Sequence, residues 1–286
     1  MCTVTLIPLP RTDGRPGSRS LYLAGSVSFA GFRLVVNRDE ERDRPAASPP
    51  RWHDLPQGST RAVYPIDPVG GGTWVGVSST GLALCLLNLN QIPRPYLPPP
   101  EQLTSRGLII PKLLGLSGTA EIARVLRQSD LDFFAPFRVL AIDPPRPTDE
   151  GGSITAIEAV WDRLGLRVRR LAAGPLCLVS SGLGDTLAAP RLALFDRMLS
   201  VHGATPVAQD RFHRQQWPDR PEISVLMARD EARTVSITTA EVVWADGLAA
   251  SSRHPRVSMT YEGLVEGAVA SACVLADPDA PAAVAV

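Results

Sequence analysis

Segments with alternating apolar and polar residues dominate this sequence, and they come in runs. The chain begins with such a segment, because Cys2, Val4 and Leu6 alternate with threonines over residues 2–8. This period of two is typical of a strand with one buried face. Further strands are predicted within residues 20–36, 73–88, 137–180 and 234–261, and helices within 102–115, 118–129 and 187–199. Strands in runs with helices grouped between them favour an α+β fold over alternating βαβ units.

Turn-forming residues divide these runs. Gly31 is expected to break residues 20–36 into two strands, and a proline- and arginine-rich loop is predicted from after Glu40 to about residue 70. Ser79-Thr80-Gly81 predicts the turn of a hairpin. The four strands predicted within residues 137–180 are interpreted as a meander.

Two further segments are defined by their turn chemistry. The proline-rich residues 92–100 cannot donate regular ladder bonds and are expected to form a polyproline-like surface loop. Asp246-Gly247 predicts a hairpin turn between residues 234–244 and a returning strand at 257–261.

Length and charge limit the classes of protein to consider. With 286 residues and 44% hydrophobic content, the chain can bury a large core in one domain or in two small ones. We predict a single domain over residues 1–286, with a flexible tail from about residue 265. Lysine plus arginine equal aspartate plus glutamate at 29 each, so no net field would attract nucleic acid. The longest apolar runs fall far short of the roughly 20 residues that a membrane span needs.

The cysteines and histidines indicate neither a metal site nor a disulfide scaffold. The four cysteines lie far apart without a CxxC pair, and the four histidines show no metal-ligand spacing. No metal or other cofactor is therefore predicted. Residues 1–15 show no signal peptide, so a reducing cytoplasm is the expected location. The glycines at 70–72 precede a strand and lack the lysine of a phosphate-binding loop.

Cys2 is the leading candidate for a reactive residue. Removal of Met1 would place a thiol and a free α-amine on one residue. The reference pKa of an α-amine, about 7.7–8.0, is close to that of a thiol, about 8.5, so the amine could accept the thiol proton. Taken alone, a cysteine at this position is more often an ordinary strand residue.

Polar residues at the ends of two predicted strands complete the candidate catalytic set. Asn37, Arg38 and Asp39 follow an apolar strand, where Arg38 offers five donors suited to a carboxylate and Asp39 could orient an ammonium or a thiol. Asn88 ends the apolar residues 82–87, and its amide could donate to an oxyanion. From composition alone, a solvated strand-to-loop junction is the better explanation of residues 37–40, and the alternative for Asn88 is an asparagine that begins a turn.

Three motifs in this order carry a resemblance to a known family: MCTV at the start, LVVNRDE at 34–40 and GGTWVGVSSTGLALCLLN at 71–88. The chain resembles the NRDE-motif family, also called the transport and Golgi organisation family. That family is similar to N-terminal nucleophile (Ntn) hydrolases such as the choloylglycine hydrolases, which act on non-peptide amide bonds. The resemblance implies a four-layer αββα sandwich of two antiparallel sheets.

The same resemblance implies roles for single residues. Cys2 takes the position of the nucleophile, Asp39 that of a partner of the α-amine, and Asn88 that of the oxyanion donor. Choloylglycine-type enzymes carry an arginine a few residues before the motif aspartate, where this chain has Val36, and Arg38 lies next to Asp39 instead.

A second departure concerns Asp185. Family members commonly carry an asparagine at this place, and a carboxylate there would repel an oxyanion.

Three hypotheses about function follow. The first is an N-terminal-cysteine hydrolase of a non-peptide linear amide, whose partner is a small-molecule amide. The second is a binding or trafficking factor for haem or a lipid-like hydrophobic ligand, because the family has been linked to haem mobilisation and lipid homeostasis. The third keeps the fold without an activity.

Overall fold

The computed structural model describes residues 2–10, 29–56, 60–145, 153–244 and 255–265, and the backbone of 271–275. The strands in these ranges are β1 (Cys2–Pro10), β2 (Phe29–Glu41), β3 (Ser48–Asp54), β4 (Arg61–Ile66), β5 (Val75–Ser78), β6 (Ala83–Asn88), β7 (Phe137–Asp143), β8 (Thr155–Trp161), β9 (Leu166–Leu171), β10 (Leu176–Ser180), β11 (Ala232–Val243), β12 (Arg256–Gly263) and β13 (Ser271–Leu275). The α-helices are α1 (Ile109–Leu113), α2 (Thr119–Gln128), α3 (Pro190–His202) and α4 (Pro206–His213).

The strands form two sheets. One has the order β10-β1-β2-β11-β12-β13, and the other runs from β3 to β9 in chain order. Neighbouring strands are antiparallel throughout both sheets. The predicted α+β class with two antiparallel sheets is therefore confirmed.

Three apolar clusters hold four layers together. The largest lies between the two sheets and includes Leu34, Val36, Val75 and Leu140. A second joins the seven-stranded sheet to α1 and α2, and a third joins the six-stranded sheet to α3 and α4. Each fully buried Leu or Phe contributes roughly 1.5–3 kcal/mol through removal of apolar surface from water. This packing confirms the αββα sandwich.

Both faces of β1 are buried, whereas the sequence predicted one. Cys2, Val4 and Leu6 belong to the cluster between the sheets. Thr3 and Thr5 point to the helical side and are fully buried as well. Their hydroxyls hydrogen-bond to buried polar side chains of that layer, which removes the cost of burying them. Alternation shows which residues share a face of the strand, but polar residues on a face do not show that this face is exposed to solvent.

Two expectations about residues 29–70 are wrong. Residues 29–41 form one strand that continues through Gly31, whereas residues 20–28 of the predicted segment lie outside the described residues. A Cβ at Gly31 would lie 1.8 Å from the Val242 carbonyl oxygen. The glycine is required for the close approach of β2 to β11. The loop predicted to residue 70 contains β3 and β4. β3 lies at the edge of its sheet, where the missing N–H groups of prolines are tolerated.

The later elements follow the sequence more closely, with differences in connection. The hairpin of β5 and β6, the helices α1 to α3 and the pairing of β11 with β12 were predicted. The meander ends at β9, however, because β10 crosses to the other sheet and pairs with β1. Helix α4 was not predicted. The Asp246-Gly247 turn lies outside the described residues.

Two observations concern the chain's end and its helices. Beyond residue 265, where a flexible tail was expected, residues 271–275 form a strand paired with β12. Among the helices that the structure describes, none is long and apolar enough to cross a membrane.

Candidate active site

A cavity of about 630 Å³ lies where the start of β1 meets the ends of β2 and β6. Its wall includes Cys2, Arg38, Asp39 and Asn88. Four of the five predicted site residues thus reach one cavity, although up to 86 positions separate them in the chain. A second groove, of about 620 Å³, is lined by residues on and next to α3 and α4 and contains none of the four.

Cys2 sits in the sheet with a small exposed fraction. It is 7% exposed, and it lies opposite Arg38 of β2 on one side and Ser180 of β10 on the other. Burial raises the pKa of the Cys2 thiol, and the positive chain terminus opposes this effect without cancelling it. The resting sulfur is therefore a neutral thiol at pH 7, and its attack on a carbonyl requires a base.

The other cysteine side chains that the structure describes do not reach the cavity. Cys85 is fully buried in the cluster between the sheets, and burial raises its pKa well above that of a free thiol. Cys177 packs against the α3 and α4 side of the fold, where burial also raises its pKa. Cys2 is therefore the cysteine of these three that a ligand in the cavity can contact.

Arg38 forms a charged and aromatic wall next to Cys2. Its guanidinium carbon lies 4.5 Å from the ring centre of Trp74, which belongs to the GGTW motif. Its Nη2 lies 3.3 Å from Glu40 Oε2 and 3.6 Å from Asp67 Oδ1. Burial alone would raise the pKa of Asp67, but a hydrogen bond from Arg44 and the charge of Arg38 hold it below its usual value. Arg38 and Arg44 thus each lie within ion-pair distance of both Glu40 and Asp67.

Asp39 is fully buried, and its negative charge is compensated by groups on the helical side of the sheet. Its Oδ1 accepts a 2.6 Å hydrogen bond from the Thr234 hydroxyl. Its Oδ2 lies 3.6 Å from Nη1 of Arg191, a residue of α3 that is 1% exposed. Arg191 also donates to the Thr3 hydroxyl, at 2.7 Å. A carboxylate and a guanidinium buried together compensate each other's charge at the start of β1.

Asn37 lies outside the cavity lining, on the face of β2 that is opposite to Arg38. Its Nδ2 donates to the carbonyl oxygens of His213 and Val225, both at 2.9 Å. Its Oδ1 lies 2.7 Å from Nδ1 of His213. These three contacts attach β2 to α4 and to the chain that follows it.

Asn88 offers a side-chain amide that a ligand could contact. It ends β6 and is partly exposed at the cavity wall. No hydrogen bond joins its side chain to any residue in the part of the chain that the structure describes. Its amide N–H groups are therefore available to an oxygen atom of a ligand.

Asp185 lies in a polar cluster of its own, and it is not among the residues that line the cavity. Its Oδ2 accepts a hydrogen bond from Arg138 Nη2 at 3.0 Å, and its Oδ1 accepts one from the Ser181 amide at 2.9 Å. The Asn90 amide also donates to it, at 3.2 Å. The positive charge of Arg138 reduces the repulsion that this carboxylate would exert on an oxyanion.

Sequence reasoning did not find Arg44, Asp67 and Arg106, which also line the cavity. The first two lie in the segment that was interpreted as a loop, and Arg106 lies in a segment that was predicted as a plain helix. A cluster of three or more histidine, cysteine or acidic residues suited to a metal ion does not occur in the described part of the chain.

The comparisons with known proteins agree with the resemblance seen in the motifs. The family model for Transport and Golgi organisation 2 matches residues 29–154, so the predicted resemblance to that family is confirmed over this range. No curated protein sequence matches the chain significantly.

Solved structures with a similar fold include penicillin V acylase from Agrobacterium tumefaciens, with 10% sequence identity and a TM-score of 0.48, covering 95% of this chain and 90% of that one. The Caenorhabditis elegans ortholog of N-acylethanolamine-hydrolyzing acid amidase has 11% identity and a TM-score of 0.47, with 82% and 91% covered. A mutant of conjugated bile acid hydrolase from Clostridium perfringens has 12% identity and a TM-score of 0.47, with 94% and 91% covered.

Proposed function

We propose that the protein hydrolyses a non-peptide linear amide and that Cys2, after removal of Met1, is the nucleophile. The observation that carries this proposal is that Cys2 and the Asn88 side chain lie on the wall of one cavity. The Asn88 amide has no hydrogen-bond partner among the described residues. A nucleophile and an oxyanion donor that face the same space are the minimum that acyl transfer requires.

The proposed reaction has two steps. The Cys2 sulfur attacks the amide carbonyl carbon while its proton passes to the α-amine of the same residue, and the carbonyl oxygen becomes an oxyanion beside Asn88. The C–N bond then breaks, and the leaving amine takes the proton. Water attacks the resulting thioester, which releases a carboxylic acid and restores the thiol.

The electrostatics fit a proton transfer that accompanies the attack. Because burial raises the pKa of the Cys2 thiol, little thiolate exists before the substrate arrives. The amine is a base when it is neutral, so the acylation rate should rise with pH through about 7.7–8.0, the reference pKa of an α-amine. Asp39 would orient the ammonium that forms.

Intact-mass measurement with a thiol-acylating probe tests this proposal. The protein purified from its own cell should lack the mass of Met1, and peptide mapping should find the adduct on Cys2 well before Cys85 or Cys177. Cys177→Ser is the matched control and should label like the wild type, whereas Cys2→Ser should not label at that rate. Retention of Met1, or an inert Cys2, would contradict the nucleophile role.

A second candidate function is binding of haem or a lipid-like ligand without catalysis. The raised pKa of the Cys2 thiol favours it, because a neutral thiol is a poor nucleophile. The cavity also offers Trp74, Leu86 and Leu103 as apolar surface. Titration with haem would show a Soret shift that Cys2→Ala removes. An unchanged Soret band would speak against haem as the ligand.

We also propose that the chain acts as a single domain in a reducing cytoplasm. Cys2, Cys85 and Cys177 are free thiols, as is usual in that compartment. A single cooperative unfolding transition and recovery of the protein in the cytosolic fraction are the expected results. Two separated transitions would contradict the single domain, and recovery outside the cytosol would contradict the cytoplasmic location.

A further inference from the structure

Arg106 is a cavity-lining cation that has no carboxylate partner among the described residues. Its Nη1 donates to the Pro136 carbonyl oxygen at 2.9 Å, and it forms no ion pair with any carboxylate that the structure describes. The other two arginines of the wall, Arg38 and Arg44, contact Glu40 and Asp67. The charges of that group balance, and the remaining acid of the wall, Asp39, is compensated by Arg191 of α3, so Arg106 adds one positive charge in excess.

The backbone holds Arg106 in place before any ligand binds. Residue 106 starts a short 3-10 turn whose next residue, Gly107, accepts a 3.0 Å hydrogen bond from the Thr73 amide. A Cβ at Gly72 would lie 2.2 Å from the carbonyl carbon of Gly107. The glycine of the GGTW motif therefore permits the close contact of the two loops. A preorganised guanidinium loses little entropy when it binds an anion.

Arg106 is also poorly solvated. Burial lowers its pKa, although the charge of Glu40 acts in the opposite direction. A guanidinium that has lost part of its water gains more from a hydrogen-bonded anion than an exposed one does. The neighbouring Thr104 and Ser105, which also line the cavity, add hydroxyl groups that can donate to the same anion.

We infer that Arg106 binds a carboxylate of the substrate, so that the molecule accepted by the cavity is a linear amide with one negative charge. This inference rests on the proposed function. The carboxylate could stand on the amine side of the amide, as in an N-acyl amino acid, or on the acyl side, as in a monoamide of a dicarboxylic acid. The shared chemistry is an anion bound by Arg106 while the amide carbonyl reaches Cys2 and Asn88.

Calorimetric titration tests the inference without turnover when Cys2→Ala is present in every protein. Hippurate carries its carboxylate on the amine side, N-phenylsuccinamate carries it on the acyl side, and hippuramide is the neutral counterpart of hippurate. At least one of the two anions should bind about tenfold or more tightly than hippuramide. Arg106→Gln should abolish that preference, and Arg94→Gln, a change at an exposed residue outside the cavity, should keep it.

Several outcomes would overturn the inference: equal affinity for anions and hippuramide, no binding of any of the three, or a preference that survives Arg106→Gln. If Arg106→Gln does not fold, the affinities of the three ligands for the Cys2→Ala protein test the inference. A cavity wall without excess positive charge would bind the anions and hippuramide equally well. An inert Cys2 together with an intact anion preference would refute the proposed function alone. A reactive Cys2 without that preference would refute the Arg106 subsite alone.

Discussion

Acid should destabilise the protein through His213, which lies beneath the candidate site. The side chain is buried, with Nε2 2.7 Å from the Thr5 hydroxyl oxygen and Nδ1 2.7 Å from Asn37 Oδ1. Burial, followed by the charges of three nearby arginines, lowers the pKa of His213 to about 3. The ring is therefore neutral in the folded protein at every pH above that value.

The sign and size of the effect follow from proton linkage. The unfolded chain binds this proton with a pKa of 6.5, but the folded protein binds it only near 3. The contribution of His213 is therefore complete above about pH 6.5 and is lost as the pH falls, because protons stabilise the unfolded state first. At about 1.36 kcal/mol per pKa unit, the loss is about 2.7 kcal/mol at pH 4.5 and roughly 4 kcal/mol near pH 3.

Urea unfolding of the wild type and of His213→Gln at pH 7 and pH 4.5 measures this contribution. At pH 7 the variant should be less stable by about 1–3 kcal/mol, because buried hydrogen bonds are lost. Between the two pH values it should lose about 2.7 kcal/mol less than the wild type. His202→Gln, at the exposed end of α3, should follow the wild type. Parallel pH dependence in wild type and His213→Gln would refute the reasoning.

Three further changes test the site. Arg191→Met leaves the buried Asp39 carboxylate without its guanidinium and should cost about 3–5 kcal/mol in urea unfolding, whereas the exposed Arg197→Met should cost under about 0.5 kcal/mol; equal costs would contradict the buried pair. Gly72→Ala would place a Cβ 2.2 Å from a backbone carbon and should lower the melting temperature; an unchanged value would contradict the close packing. Asn88→Ala should slow acylation of Cys2 by p-nitrophenyl acetate about 10²–10³-fold; an unchanged burst rate would remove Asn88 from the oxyanion site.

Local patterns in the sequence were sufficient for most strands and helices. Alternation over residues 2–8 and helical spacing in 118–129 reflect burial within one element, and both elements formed. The patterns failed where pairing with a distant segment determines the structure. β3 contains two adjacent prolines, and only its position at a sheet edge makes that possible. The transfer of β10 to the other sheet likewise depends on pairing with β1, 170 to 178 positions away.

The candidate site shows the same division. Cys2, Arg38, Asp39 and Asn88 stood out because each occupies a strand end or belongs to a motif. Arg106 carried no such signal, because its position depends on contacts between two loops that are distant in sequence. Whether an arginine has a carboxylate partner is decided by the fold, and the sequence does not reveal it.

The NRDE motif places side chains on both faces of one strand, which explains why three adjacent polar residues, Asn37, Arg38 and Asp39, can be buried together. Arg38 lies opposite Cys2 and faces Trp74 at the cavity. Asn37 and Asp39, its neighbours in the chain, contact His213 and Arg191 on the helical side. Successive side chains of a strand point to opposite faces, so neighbouring residues of the motif must lie on different sides of the sheet. The polar layer beneath the sheet therefore sets the position of the residues above it, and weakening that layer should alter the reactivity of Cys2 without any change in the cavity wall.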